Sequence, residues 1–228
     1  MAQNYIFERQ HDVYNELKKK SIFEKNNQTK AATFTKPNKK ELNVKNYSPT
    51  NKLVEDVTVL DFETTGCSHR YSEVIQVGAI KYRNGKEIGR FNEFVRPSTT
   101  IPENITRLTG ITNQMVQYAR PTREVFYEFS KFLRGETLVA HNASFDMKFL
   151  LTYFHKFQID HEKFKVIDTV PLARRYLTQL PNHKLETIKH FLEINISSHQ
   201  SINDCLVTGE LYYLCNSLAN EGYNLSLF

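Results

Sequence analysis

The sequence lacks the features that would place the chain in a membrane or outside the cell. No run of 18 apolar residues occurs among its 228 residues, which excludes a transmembrane helix. The N-terminus MAQNYIFERQHDVYNELKKK is charged but has no apolar core, so it is not a secretory signal. The three cysteines include no C-x-x-C pair, which argues against a disulfide framework and against a zinc site. We therefore expect a cytoplasmic protein with no membrane partner.

Most of the chain also lacks net charge. Residues 1–55 hold 11 of the 30 Lys and Arg residues and 6 of the 25 Asp and Glu residues, which accounts for the whole net charge of +5. Within this segment, residues 26–52 are rich in Asn, Lys and Thr, which is typical of a linker. The apolar spacing in residues 5–24 fits a short amphipathic helix. We interpret residues 1–55 as a basic, largely disordered extension that either tethers nucleic acid or keeps the protein soluble.

From Asp56 onward the pattern changes to short apolar strands alternating with amphipathic helices. Asn84-Gly85 is a type I′ hairpin signal between two of the strands, and Gly110 is a helix stop. Strands are predicted at 57–63, 74–82, 87–95, 137–141 and 165–169, and helices at 103–110, 122–135 and 142–157 and around 170–179, 184–193 and 202–219. A three-strand meander followed by alternating helices and strands indicates an α/β fold, with a mixed sheet flanked by helices.

Four acids stand where a core pattern does not predict them. VTVLDFETTG (57–66) ends an apolar strand with Asp61 and Glu63, which point to the same face because they are two residues apart. Asp146 lies one turn into a predicted helix, and Asp204 lies near the start of another. Each of these two could simply complement a helix dipole. Together, the four acids can converge at one edge of the sheet.

Four carboxylates at one place cannot all stay ionised without cations. Two hard divalent ions, Mg²⁺ or Mn²⁺, accept oxygen ligands and would offset the repulsion. A pair of such ions is a known device for in-line displacement at phosphorus. The acids therefore predict a metal-dependent phosphodiester hydrolase.

Three segments resemble the motifs of the DnaQ-like 3′–5′ exonucleases of the DEDDh type, a proofreading and RNA-trimming superfamily that includes subunits of bacterial DNA polymerase III. DFETTG matches the first motif, HNASFD the second and HQSIND the third, in the family's order and spacing. RLTGIT (107–112) resembles a further segment of the polymerase-associated members. The resemblance covers roughly residues 56–219 and implies a ribonuclease H-like fold.

The resemblance also implies roles for single residues. It assigns two bound cations to Asp61, Glu63, Asp146 and Asp204, and the general base to His199, five residues before Asp204. A sister class has Tyr four residues before the last Asp, where this chain has Gln200, so the histidine branch is favoured. A neutral imidazole can accept the proton of an attacking water.

The remaining motif residues carry weaker expectations. Asp168 is a fifth acid that the family tends to carry, with a supporting role, and His141 is interpreted as packing or hydrogen bonding. Departures from the family pattern leave the proposed ligands intact: they are Gln200, Ser201, Asn203, where many relatives carry an acid, and Cys205.

Substrate contacts are expected on two segments. Backbone N–H groups of Thr64, Thr65 and Gly66 could meet a terminal nucleotide, with Gly66 permitting a tight turn. Leu108 resembles the position that wedges against a terminal base in relatives, although it could equally cap a core. Asn142 of the second motif is the remaining candidate.

The last residues form a separate tail, 220–228. It ends in a peptide similar to the Gln-Leu-Ser/Asp-Leu-Phe motif that docks in the bacterial sliding clamp, with Asn in place of Gln: Asn224, Leu225, Ser226, Leu227 and Phe228. Leu227 and Phe228 would fill an apolar pocket, or else fold back onto the domain.

The leading hypothesis is a metal-dependent 3′–5′ exonuclease acting on single-stranded 3′ ends of DNA, in proofreading or repair, with a polymerase or sliding clamp as partner. An exoribonuclease that trims RNA shares the same motifs and remains an alternative. A non-catalytic replication adaptor is the alternative of another class, although an adaptor would not need the five catalytic positions.

Overall fold

A computed structural model describes residues 47–221, and these residues form one mixed β-sheet covered by helices on both faces. The strand order is β1-β7-β6-β2-β3-β4-β5. The strands are β1 Tyr47–Pro49, β2 Val57–Thr64, β3 Val74–Arg83, β4 Lys86–Arg96, β5 Arg120–Pro121, β6 Thr137–Ala140 and β7 Phe164–Asp168. Strands β2, β3 and β4 form an antiparallel meander, whereas β6, β7 and β1 extend the sheet in parallel from β2. The predicted mixed sheet is confirmed.

Seven helices belong to the described part of the chain. They are α1 Glu103–Thr109, α2 Asn113–Val116, α3 Thr122–Phe132, α4 Ser144–Phe157, α5 Thr169–Tyr176, α6 Leu185–Phe191 and α7 Ser201–Asn220. Gly110 ends α1 in the left-handed conformation, at φ 73°, as the sequence predicts. No helix within residues 47–221 is both long enough and apolar enough to span a bilayer.

Strand β2 is buried on both faces, and its alternation assigns the acids to one of them. Val57 and Val59 pack with the core residues of α5, α6 and α7, whereas Leu60 and Phe62 pack with those of α3 and α4. Side chains two apart on a strand share a face. Asp61 and Glu63 therefore continue the face that α7 covers, and α7 carries Asp204.

Residues 47–55 differ from the sequence prediction, which assigned them to the N-terminal extension. Strand β1 pairs in parallel with β7, Tyr47 opposite Phe164. Val54 accepts a hydrogen bond of 2.7 Å from the Tyr212 hydroxyl of α7. The sheet thus includes residues that lie before the predicted boundary at Asp56, and α7 contacts such residues. Residues 1–46, with the predicted helix at 5–24, lie outside the described residues, as do residues 222–228 of the predicted tail 220–228, whose first residue, Asn220, is the last of α7.

Gly78 of β3 lets the first turn of α7 approach the sheet. It pairs with Asp61 across the β2–β3 ladder. A Cβ atom at position 78 would lie 2.6 Å from the Ser201 carbonyl carbon and 2.8 Å from the Ile202 nitrogen. The Gln76 side chain, on the same strand, accepts a hydrogen bond of 3.3 Å from Ser201 N–H. Strand β3 thereby fixes the start of the helix that carries Asp204.

Replacing Gly78 by alanine should lower the free energy of unfolding by about 1–3 kcal/mol, because the helix backbone must move away from the added methyl group. Gly89→Ala in β4 is the matched control, since a Cβ there would meet its nearest neighbour at an ordinary 3.6 Å. Urea unfolding of both variants measures the difference. Equal stability of the two variants would contradict close packing at Gly78.

Candidate active site

The carboxyl-terminal edge of β2 and β6 brings together the four acids predicted from the sequence. These two strands are parallel neighbours. Asp61 and Glu63 lie near the end of β2, and Asp146 lies in the first turn of α4, which follows β6. Asp204 lies in the first turn of α7. The pKa of Asp61 responds to the charges of the other three acids, so the four carboxylates form one electrostatic group.

Burial, together with repulsion between acids, raises the pKa values of the four carboxylates, so their ionised forms are disfavoured. Three of the side chains are almost inaccessible: Asp146 is 2% exposed, Glu63 8% and Asp204 9%. Burial, followed by repulsion from Asp204 and Asp146, raises the pKa of Glu63 to about 8. Burial raises the pKa of Asp146 to about 8 against two backbone hydrogen bonds that lower it. Burial, then repulsion from Asp146, Asp204 and Glu63, raises the pKa of Asp61 well above its ordinary range.

Asp204 keeps a lower pKa than its neighbours because it has favourable partners. Burial raises its pKa to about 6, while the charge of His199 and the His199 N–H, which donates to Asp204 Oδ2 at 3.2 Å, act in the opposite direction. Asp146 is oriented by Phe62 N–H, which donates to its Oδ1 at 3.1 Å. Strand β6 ends at Ala140, so Phe62 N–H bonds to this side chain at the edge of the sheet.

His199 occupies the loop before α7, as expected, and faces the acids. Its backbone has φ 58°, in the left-handed region. One ring nitrogen of His199, one oxygen of Glu63 and one oxygen of Asp204 lie within 4.8 Å of one another. The predicted base and the predicted ligands therefore share one site.

The donor set fits hard divalent cations. Carboxylate oxygens are the ligands that Mg²⁺ and Mn²⁺ prefer. Burial, and after it repulsion from the other acids of the site, raises the pKa values of Asp61 and Glu63, and bound cations would offset both effects.

Comparison with known families agrees with this arrangement. Residues 58–212 match the RNase_T family, which is described as an exonuclease family. The chain belongs to this exonuclease family. The matched segment contains Asp61, Glu63, Asp146, His199 and Asp204.

Similar proteins include DNA polymerases III of the PolC type. The exonuclease chain is 40% identical over 162 residues to the DNA polymerase III PolC-type of Halalkalibacterium halodurans, covering 71% of this chain and 11% of that protein. It is 36% identical over 169 residues to the PolC-type polymerase of Bacillus subtilis, covering 72% of this chain and 12% of that protein. The chain therefore spans about one eighth of these relatives or less.

Solved structures of exonucleases share the fold. E. coli exonuclease I in complex with a dT13 oligonucleotide superimposes with a TM-score of 0.65 at 16% identity, covering 75% of this chain and 43% of that one. Exonuclease X in complex with 5′ overhanging duplex DNA gives a TM-score of 0.55 at 22% identity, covering 73% of this chain and 93% of that one. The ribonuclease H-like fold expected from the sequence motifs is confirmed.

The loop after β2 corrects one expected substrate contact of the exonuclease. Thr65 N–H donates a hydrogen bond of 2.8 Å to the Glu73 carbonyl, so this group is already used within the chain. The Thr64 hydroxyl donates to the Gly66 carbonyl at 2.7 Å. A Cβ at Gly66 would lie 2.8 Å from Ser72 Oγ, so a larger residue there would require the Ser72 hydroxyl to rotate away. The contacts of Thr64 and Gly66 with a nucleotide stay predictions.

Leu108 and Asn142 remain available for the exonuclease substrate. Leu108 is 53% exposed on α1, which rules out the alternative that it caps a core. Asn142 is exposed, with φ 63°, and its N–H donates to Asp168 Oδ1 at 3.1 Å. Their roles with substrate stay predictions.

Two further motif residues support the backbone around the second motif. Asp168 caps α5, since its Oδ1 also accepts from Val170 N–H at 2.9 Å. The two ring nitrogens of His141 lie 2.9 Å from Thr169 Oγ1 and 2.9 Å from the His183 carbonyl oxygen. These contacts agree with the supporting roles expected for Asp168 and His141.

Gly78 and Gln76 were missed among the residues that shape the exonuclease site. The glycine did carry a signal, because a glycine inside the strand pattern VIQVGAIKY marks a close backbone approach. Gln76 carried none, since one polar residue in an alternating strand is ordinary.

Proposed function

We propose that the chain is a metal-dependent 3′–5′ exonuclease of the DEDDh type, which hydrolyses DNA from its 3′ end and releases nucleoside 5′-monophosphates. The observation that carries the proposal is the convergence of four mutually repelling carboxylates, three of them buried, with His199 in a chain of the exonuclease family. A catalytic site explains why mutually repelling acids are kept in a buried position.

Each residue has a defined task in this mechanism. Asp61, Glu63, Asp146 and Asp204 would hold two divalent cations, Mg²⁺ or Mn²⁺. When bound, the cations supply positive charge against the phosphate and its transition state. His199, as neutral imidazole, accepts the proton of the attacking water. The new bond joins the water oxygen to phosphorus, and the 3′-oxygen of the preceding nucleotide leaves.

DNA is the favoured substrate, and replication or repair the favoured setting. The PolC-type relatives are DNA polymerases by name, and the two solved neighbours described above were determined with duplex DNA and with a dT13 oligonucleotide. Exoribonuclease activity is the alternative, because the same residues would cleave RNA. A cytoplasmic location follows from a replication role.

A paired degradation assay tests the proposal. Single-stranded DNA and RNA of identical sequence, labelled at the 5′ end, are incubated with the full chain and Mg²⁺ or Mn²⁺. We expect DNA to shorten one nucleotide at a time from the 3′ end, faster than RNA. Preferential shortening of RNA would support the exoribonuclease alternative. No product from either substrate would refute the enzyme and support an adaptor.

Replacing His199 by alanine should lower the hydrolysis rate about 10²- to 10⁴-fold, the usual contribution of a general base. Binding of Mn²⁺ should persist, because the four carboxylates remain. His155→Ala, at the exposed end of α4, is the matched control. Single-turnover kinetics and Mn²⁺ titration measure both effects, and an unchanged rate would exclude His199 as the base.

The tail peptide is a separate proposal for a partner. Residues 224–228 lie outside the described residues, and their likeness to a sliding-clamp motif rests on sequence. Deleting them should abolish binding to a bacterial sliding clamp, measured by surface plasmon resonance, and leave hydrolysis of short oligonucleotides unchanged. Undiminished clamp binding by the truncated chain would refute the proposal that residues 224–228 bind the clamp.

A further inference from the structure

Lys189 of α6 is a buried lysine whose contacts reach the segment 196–199, called here the His199 loop. Lys189 is 9% exposed. Its Nζ donates to the Ile196 carbonyl at 3.1 Å and to Ser198 Oγ, and it lies 3.0 Å from Glu186 Oε2. Ser198 Oγ donates in turn to the same Glu186 oxygen. An ammonium group has three donors, and here the contacts of Nζ match that number.

The His199 loop is also held from the side of α7. Asn203 Nδ2 donates to the Ser197 carbonyl at 3.0 Å. His199 N–H donates to Asp204 Oδ2 at 3.2 Å. Every residue from 196 to 199 therefore has a hydrogen bond to a side chain of α6 or α7.

These contacts explain how an exposed histidine keeps an uncommon backbone conformation. The φ of 58° at His199 is costly for a non-glycine residue and persists where the surroundings fix it. Asn203 contributes a donor that an ionised acid could not supply, which gives a physical reason for its departure from the family pattern.

We propose that Lys189 is a positioning residue that holds the His199 imidazole beside Glu63 and Asp204 for proton transfer. Among the described residues, Lys189 donates no hydrogen bond to Asp61, Glu63, Asp146 or Asp204, although its charge acts to lower the pKa of Asp204. It acts on the reaction through the Ile196 carbonyl and Ser198. The inference rests on the proposed function, in which His199 is the base.

The first test replaces Lys189 by methionine, which keeps the length of the side chain and removes its donors. The control is Lys184→Met, an exposed lysine next to the start of α6. We expect kcat on a DNA oligonucleotide to fall about 10- to 100-fold, as is typical for groups that orient functional side chains. KM and the Mn²⁺ concentration at half-maximal thermal stabilisation should stay unchanged. Lys189→Arg should recover part of the rate, because a guanidinium can donate to the same oxygens.

A double-mutant cycle separates positioning from general damage. In a His199→Ala background, adding Lys189→Met should change the residual rate by less than about twofold, because the group that Lys189 positions is gone. Multiplication of the two single effects would overturn the inference. Weaker Mn²⁺ binding by Lys189→Met would overturn it as well, because the lysine would then act through Asp204 and the other ligands.

Hydrogen exchange supplies a readout that does not depend on activity. A peptide spanning 196–199 should exchange faster in Lys189→Met than in Lys184→Met, with no change in a peptide spanning β2. Equal exchange in the loop would contradict the proposal. If Lys189→Met does not fold, Ser198→Ala takes its place in all three measurements, since it removes one loop contact and leaves the lysine paired with Glu186. A wild type without nuclease activity refutes the proposed function, whereas an active wild type with a fully active Lys189→Met refutes this inference alone.

Discussion

Replacing Asp146 by asparagine should lower the rate of DNA hydrolysis at least about 10³-fold, equivalent to roughly 4 kcal/mol in activation free energy. The amide has the same shape and can still accept the hydrogen bond from Phe62 N–H. It loses the negative charge that makes the carboxylate a ligand for a hard cation. The substitution therefore removes the charge that binds the cation and preserves the local structure.

The control for this loss is Asp160→Asn, which makes the same chemical change beyond the opposite end of α4, at an exposed position. Single-turnover cleavage of a labelled oligonucleotide with saturating Mn²⁺ gives both rates. If Asp146→Asn keeps a tenth or more of the wild-type rate, Asp146 is not a metal ligand. The same loss in Asp160→Asn would point to a general effect on the fold.

In a buffer without divalent cations, the protein should become less stable as the pH rises from 5 to 8. The pKa values of Glu63 and Asp146 are about 8 and that of Asp204 about 6 in the folded state, above the usual value near 4 of an unfolded chain. The folded state therefore retains protons that the unfolded state has released. Stability from these groups is fully present below pH 4 and is lost as the pH rises through the folded pKa values.

For each proton that only the folded state retains, the free energy of unfolding decreases by about 1.4 kcal/mol per unit rise in pH. For a chain of this size, that corresponds to roughly 3–6 °C in melting temperature per pH unit. Thermal melts in EDTA at pH 5, 6, 7 and 8 measure the slope. The window stops at pH 5 because hydrogen bonds lower the pKa values of Glu73 and Glu186 in the folded state. The contribution of these two groups to protein stability is lost as the pH falls further. A flat or rising melting temperature would contradict the prediction.

Mg²⁺ or Mn²⁺ should reverse the loss at pH 8, because binding to the folded state adds about 2.7 kcal/mol at a hundred times the dissociation constant. Asp146→Asn and Asp61→Asn carry one buried charge fewer. Without cations they should melt above the wild type at pH 8, and they should gain much less from added cations. Equal gains in wild type and both variants would place the cations elsewhere.

The four acids could be predicted from the sequence because each interrupts a pattern that local physics explains. Asp61 and Glu63 follow apolar residues that form a buried strand, and Asp146 and Asp204 lie in the first turns of helices that are otherwise rich in buried apolar residues. The hairpin could be predicted from Asn84-Gly85, whose φ values of 50° and 71° suit the turn.

Other features depend on contacts between distant residues and leave no local signal. Strand β1 is three residues long and is defined by its partner β7, more than 100 positions later. The hydrogen bond of Thr65 N–H to Glu73 depends on how the loop after β2 closes. Lys189 resembles any lysine of an amphipathic helix until the loop after α6 folds back over it. Pairings of this kind are set by tertiary structure, which periodicity does not encode.

The order of the ligands along the chain also determines when the enzyme can first act during protein synthesis. Asp61, Glu63 and Asp146 leave the ribosome before His199 and Asp204, and the sheet face over Gly78 stays open until α7 arrives. A nascent chain that ends before α7 has three of its four acids in place but neither the base nor the last ligand. Under the proposed function, nuclease activity is therefore switched on late and in one step, when α7 docks, so that abandoned translation products leave nucleic acid intact.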